Sequence, residues 1–117
     1  MRHFWAAARD VDPAAAELDE GVRFSFCRPD TLASWWTSAG LEDVHVDALS
    51  LATVFGAFDE YWLPFLGGQG AAPGFLLSLP EERRDLMRRL LLARLPVEKD
   101  GSIHLTARAW AVRGVVA

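Results

Sequence analysis

The 117 residues include only one cysteine, Cys27, so no internal disulfide can form. Nowhere does an apolar run approach the roughly 20 residues needed to span a bilayer. A basic surplus is also missing. The formal net charge is −4, which argues against nucleic acid as a partner, because a basic face supplies most of that affinity. Arginines do gather between Arg83 and Arg94, but Asp85 lies among them and Glu81 and Glu82 precede them. That mixture reads as a solvated helix face. The opening stretch MRHFWAAARD does not read as a signal peptide, since its apolar run is short and Arg9 and Asp10 break it. The expectations are a cytoplasmic location, no membrane and no nucleic acid.

Catalytic patterns are scarce as well. His3, His45 and His104 stand alone, without a second ligand at metal-binding spacing. Cys27 has no neighbouring histidine and is expected to be a buried or half-buried thiol. Ser34, Ser38 and Ser102 sit in no nucleophile elbow. Asp59 and Glu60 read as a helix N-terminal pair favoured by the helix dipole. The stretch FLGGQG, Phe65–Gly70, looks like a phosphate cradle. Such a loop needs a strand before it and a helix after it. Pro64 spoils a strand before it, Pro73 takes the place of the third glycine, and no helix is expected directly after it. It reads as a surface connection.

What the chain does have is aromatic bulk, with five Trp and seven Phe. Its length suits one domain, residues 1–117, able to bury roughly two-thirds of its unfolded surface. Two short helices are expected over about 2–10 and 13–20, with Asp12-Pro13 as N-cap and first residue and Gly21 as a stop. A helix opens at Pro29 and Asp30, with Leu32, Trp35, Trp36 and Ala39 on one side and Gly40 as its left-handed end. A strand follows over about 44–54, with Val44 and Val46 alternating against His45 and Asp47 and a later half apolar enough for burial on both faces. Residues 55–74 read as a loop with at most a short helical stretch at FDEYW.

The strongest helix signal is SLPEERRDLMRRLLLARLP. Ser78 and Glu81 can form a capping box, and Pro80 fits the first turn. Leu79, Leu86, Met87, Leu90, Leu91 and Leu95 share a face, and Leu92 points away. Asp85 is spaced to pair with Arg88 and Arg89. Pro96 ends the helix. A second strand covers about 102–113. Ile103, Leu105, Ala107, Ala109 and Ala111 share one face, whose small side chains suggest a close packing partner. The fold class is α+β, an antiparallel strand pair with helices inserted between.

Taken in order, FWAAARDVDP, FCRPDTLASWWTSAGLEDVHVDAL, FDEYWLPFLGGQGAAPGFLLSLPEERRDLMRRLLLARLP and DGSIHLTARAWAVRG resemble the C-terminal part of a class I S-adenosylmethionine-dependent methyltransferase. The branch is the small-molecule, methyltransferase type 11-like one. The resemblance spans about residues 4–114. The second stretch is similar to the last helix and sixth strand of that fold, and ARAWAVRG to its seventh strand. The resemblance implies an α/β Rossmann-like parent, with the seventh strand antiparallel between the fifth and sixth. It implies S-adenosylmethionine as cofactor of the intact enzyme and a small-molecule methyl acceptor. The family's glycine-rich loop and acidic residue have no counterpart here, so no cofactor-binding or catalytic residue is assigned and the chain alone is expected to bind no cofactor. The family's inserts cover the substrate, which makes Trp5, Tyr61, Trp62 and Phe65 candidate substrate-facing aromatics. A strand without its neighbour also implies self-association through an open edge. The alternative function is a non-enzymatic α+β module that holds an apolar ligand or a partner protein.

Overall fold

A computed structural model describes all 117 residues. The chain forms α1 (Arg2–Val11), a 3-10 helix (Pro13–Glu17), α2 (Glu20–Arg23), α3 (Pro29–Ser38) and β1 (Leu41–Phe55). It continues through α4 (Phe58–Trp62), a second 3-10 helix (Leu63–Gly67), α5 (Ala71–Ser78), α6 (Glu81–Arg94) and β2 (Ile103–Val116). The expected α+β class is present: β1 and β2 pair as a two-stranded antiparallel sheet, with α4 to α6 between them in sequence. The residues group into two compact units. A helical unit holds Met1–Arg23 and Val54–Leu105, and a ribbon unit holds Phe24–Thr53 and Thr106–Ala117.

The helical unit contains every buried residue of the molecule. α1 packs on α6. Phe4, Trp5, Ala7 and Ala8 come from α1, and Met87 and Leu91 from α6; with Leu76 and Ile103 they form the centre of the core. Of the face expected around α6, Leu79, Met87, Leu91 and Leu95 are buried and Leu90 is half-buried against the core, while Leu86 is exposed and Leu92 points outward. The expected pairing of Asp85 does not form. Arg88 instead faces Asp59 at 3.4 Å, Arg89 Nε donates to the Asp85 backbone oxygen, and Arg94 reaches Asp10 at 2.6 Å. Arg88 and Arg94 thus reach carboxylates on other elements, while Arg89 stays with the backbone of its own helix.

The loop expected over 55–74 is largely helical, and the reason is the prolines. Pro64 stands in the first turn of the second 3-10 helix and Pro73 in the first turn of α5. Backbone N–H groups there have no intrahelical partner, so a missing one costs nothing. A helix therefore does start directly after Gly70. The capping box at Ser78 does not form: Ser78 ends α5, and its hydroxyl donates to the Phe75 carbonyl at 2.6 Å. Gly21 does not stop a helix but lies inside α2. Asp12 does cap, accepting from the Ala14 amide. Asp19 caps the next turn through the Gly21 amide at 2.9 Å and pairs with Arg9. Asp19 is buried, so Asp19→Ala removes an amide acceptor and an ion pair at once. A loss of about 1–3 kcal/mol in urea unfolding is expected.

The ribbon unit is built otherwise. It carries Phe24, Phe26, Trp35, Trp36, Leu49, Leu51 and Trp110, yet none of its residues is buried. α3 runs as expected to Ser38, and Gly40 takes φ 87° beyond it. Leu32 and Trp36 are half-buried, but Trp35 is exposed and stacks on Phe26 at 5.2 Å. In β1, Asp43 has φ 48°, a left-handed residue that kinks the start of the strand. A Cβ added at Gly114 would lie 3.3 Å from Val44 Cγ2, which puts these two positions on one face. Strand alternation then carries Val46, Trp110 and Val112 with them, all half-buried. The opposite face holds Leu49 and Leu51, 60% and 70% exposed, beside Ala107 and Ala109. Neither the burial expected for the later half of β1 nor a close partner for the alanine stripe is present in the chain.

Candidate functional site

The four aromatics singled out from the sequence come together in the helical unit. Phe65 is the hub. Its ring stacks on Phe4 at 4.6 Å and lies 5.3 Å from Tyr61 and 6.5 Å from Trp62. Trp5 joins through Phe4, edge to face at 5.2 Å. Phe58 stacks on Trp62, and Phe55 meets Tyr61 edge-on. Burial differs among the four. Trp5, Tyr61 and Trp62 are buried, whereas Phe65 is half-buried. Of the four, Phe65 alone lines a surface cleft of about 300 Å³, with Met1, Glu20, Pro64, Gln69 and Pro73. Trp5, Tyr61 and Trp62 form the wall behind it.

Two polar atoms in this cluster have no hydrogen-bond partner, Trp5 Nε1 and Tyr61 OH. Burial pushes the Tyr61 hydroxyl up from the ordinary 10.0 to about 12, because the phenolate would lose its water. Tyr61 is the only tyrosine, so alkaline absorbance titration reads it alone, and a midpoint near 12 is expected. The folded value is raised, so this contribution to stability is complete below pH 10 and is lost as pH climbs from about 10 through about 12. Tyr61→Phe removes an unsatisfied hydroxyl. It should leave stability unchanged or raise it by up to about 1 kcal/mol.

FLGGQG lies on the rim of the same cleft. Gly68 and Gly70 take φ 76° and 86° to turn the chain between the second 3-10 helix and α5. The helix after it is present, but a strand before it is not, and Pro73 deletes an N–H that would aim at an anion. Asp59 and Glu60 do occupy the first turn of α4, where Glu60 Oε2 accepts the Gly56 amide at 2.7 Å.

A second polar cluster has a D-x-S-x-H spacing in the sequence, Asp100, Ser102 and His104, that the expectations above do not include. At the turn before β2, Asp100 Oδ1 accepts the Ser102 hydroxyl at 2.6 Å and the Ser102 amide at 2.9 Å. These bonds hold Asp100 below the usual carboxylate range. His104 Nε2 lies 3.0 Å from the Ser102 oxygen. With the hydroxyl proton given to Asp100, the imidazole can only donate to that oxygen. Serine stands between acid and histidine, the reverse of a nucleophile activated by a base. The three residues lock a turn.

Cys27 is exposed, contrary to the buried or half-buried thiol expected, because the stretch from Phe24 to Arg28 lies wholly on the surface. His45 and His104 are exposed and His3 half-buried, and no three His, Cys, Asp or Glu side chains gather in metal-binding geometry. No helix is long and apolar enough to cross a membrane. Comparison with protein-family models, curated proteins and solved structures returns no match.

Proposed function

We propose that this chain is the C-terminal part of a class I S-adenosylmethionine-dependent methyltransferase, and that it acts on a small molecule only together with a cofactor-binding half. The observation that carries the reading is the ribbon unit. Two strands of 15 and 14 residues, rich in apolar side chains, leave no residue of that unit buried. An isolated two-stranded ribbon is marginal in water. Its missing core is what further strands and a helical layer of such a fold would supply. The element order also supports the reading: a helix with a glycine end, a long strand, an aromatic helical insert, then a long antiparallel strand.

The residues present do not fit the cofactor. Their one glycine-rich segment joins a 3-10 helix to a proline-bearing helix, so no strand end delivers amides to a ligand. Methyl transfer is therefore assigned to no residue here. The helical unit would contribute the substrate cover. Phe65 forms part of the cleft lining, and Trp5, Tyr61 and Trp62 back it as a rigid apolar wall.

The coding DNA upstream of Met1 tests the proposal. A strand, a glycine-rich loop and an acidic residue are expected there, in any forward frame. With that segment joined, the protein should bind S-adenosylmethionine saturably, while the chain alone should not. Unrelated upstream sequence would overturn the reading. A second reading, a binding module for an apolar ligand, has the self-contained aromatic core of the helical unit in its favour. It requires saturable uptake of an apolar probe by the chain alone, with quenching of tryptophan fluorescence.

A further inference from the structure

We infer that this chain, when alone, assembles with further copies of itself edge to edge, β1 of one copy pairing with β2 of the next. β1 has one edge with no partner strand, and beyond the bridge of Val97 to Ile103 at its first residue so does β2; both run far beyond the usual five or six residues. Exposed edges are normally blunted by proline, lysine or bulges. Neither β1 nor β2 contains a proline or a lysine. The one left-handed residue, Asp43, lies at the very start of β1, and no other residue of that strand has a positive φ.

Charge selects which edges meet. β1 carries Glu42, Asp43 and Asp47 and no lysine or arginine, whereas β2 carries Arg108 and Arg113 and no acid. Pairing β1 with β1, or β2 with β2, sets like charges against each other, while β1 against β2 sets opposite charges together. The exposed leucines and alanines of the open face would then line up from copy to copy. A contact between two different edges uses one edge of each copy and leaves the other free. Assembly therefore runs on past the dimer, as an open array unless its rotation closes a ring. This assembly does not depend on the methyltransferase reading.

Sedimentation velocity on the full chain tests it. Between about 1 and about 100 µM the mean mass should rise continuously with no plateau at a dimer. Raising salt from about 0.1 M to about 1 M should weaken association by roughly tenfold. E42K/D47K should sediment as a monomer, and adding R108E/R113E to it should restore growth. If the first variant fails to fold, judged by near-ultraviolet circular dichroism, the concentration and salt series on the unaltered chain decides. A monomer throughout, a dimer that stops growing, or association strengthened by salt would overturn the proposal.

Discussion

Phe4→Ala should collapse the helical unit. The Phe4 ring is fully buried and touches three others: it stacks on Phe65 and meets Trp5 and Phe75 edge-on. Truncation leaves a ring-sized void among rings that cannot close it, because each is held by further stacking. Such changes cost about 3–5 kcal/mol, a large part of what a domain of this size has in total. The melting temperature followed at 222 nm should fall by about 15 °C or more. Leu51→Ala is the matched control, since Leu51 is the same kind of apolar residue in the open and should change stability by no more than about 0.5 kcal/mol. A fall of only a few degrees for Phe4→Ala would mean that the aromatic cluster is not the centre of this unit.

Gly114→Val should disrupt the ribbon and leave the helical unit intact. A Cβ at Gly114 would stand 3.1 Å from Leu41 Cβ, 3.3 Å from Val44 Cγ2 and 3.4 Å from the Glu42 carbonyl oxygen. Leu41 Cβ is fixed to its main chain and cannot swing aside. Two further methyl groups on that Cβ must push the strands apart beside the kink at Asp43. A cost of about 1–3 kcal/mol is expected. In a ribbon without a buried core that is enough to separate the strands. Amide resonances of residues 41–47 and 110–116 should lose their dispersed shifts, while those of α1 and α6 stay. Unchanged ribbon shifts would show that the strands do not approach as closely as described.

What could be read in advance followed from local chemistry. α1 was legible from its alanine-rich composition, and α3 and α6 from apolar periodicity, with a glycine ending α3, because these signals act within a few residues. Both strands were legible from alternation, although each runs a few residues further than its pattern. The region after Phe55 reads as a loop because proline so often breaks a helix, yet Pro64 and Pro73 both stand in first turns, where it does not. The cap at Ser78 failed because two helices compete for that residue, and a single-helix motif cannot see the second.

The aromatics Trp5, Tyr61, Trp62 and Phe65 were picked individually from a resemblance, and they do fall in one cluster. Their unequal exposure was not readable, because it depends on how α1, α4 and the following 3-10 helix stack. The exposed later half of β1 was the instructive miss. Leu49 and Leu51 have the composition of a buried strand, but the chain brings nothing to bury them. Composition reports the environment a segment is suited to, not the one it finds in isolation.

The central claim is that the ribbon is one part of a sheet completed by strands outside these residues. Amide hydrogen exchange on the chain, dilute enough to be monomeric, tests it most directly. Amides of α1 and α6 should be protected at the level of global unfolding, and those of residues 44–51 and 107–112 should exchange roughly a hundredfold faster or more. Ribbon amides as slow as those of α6 would contradict the claim, since a two-stranded sheet that protected would need no further strands.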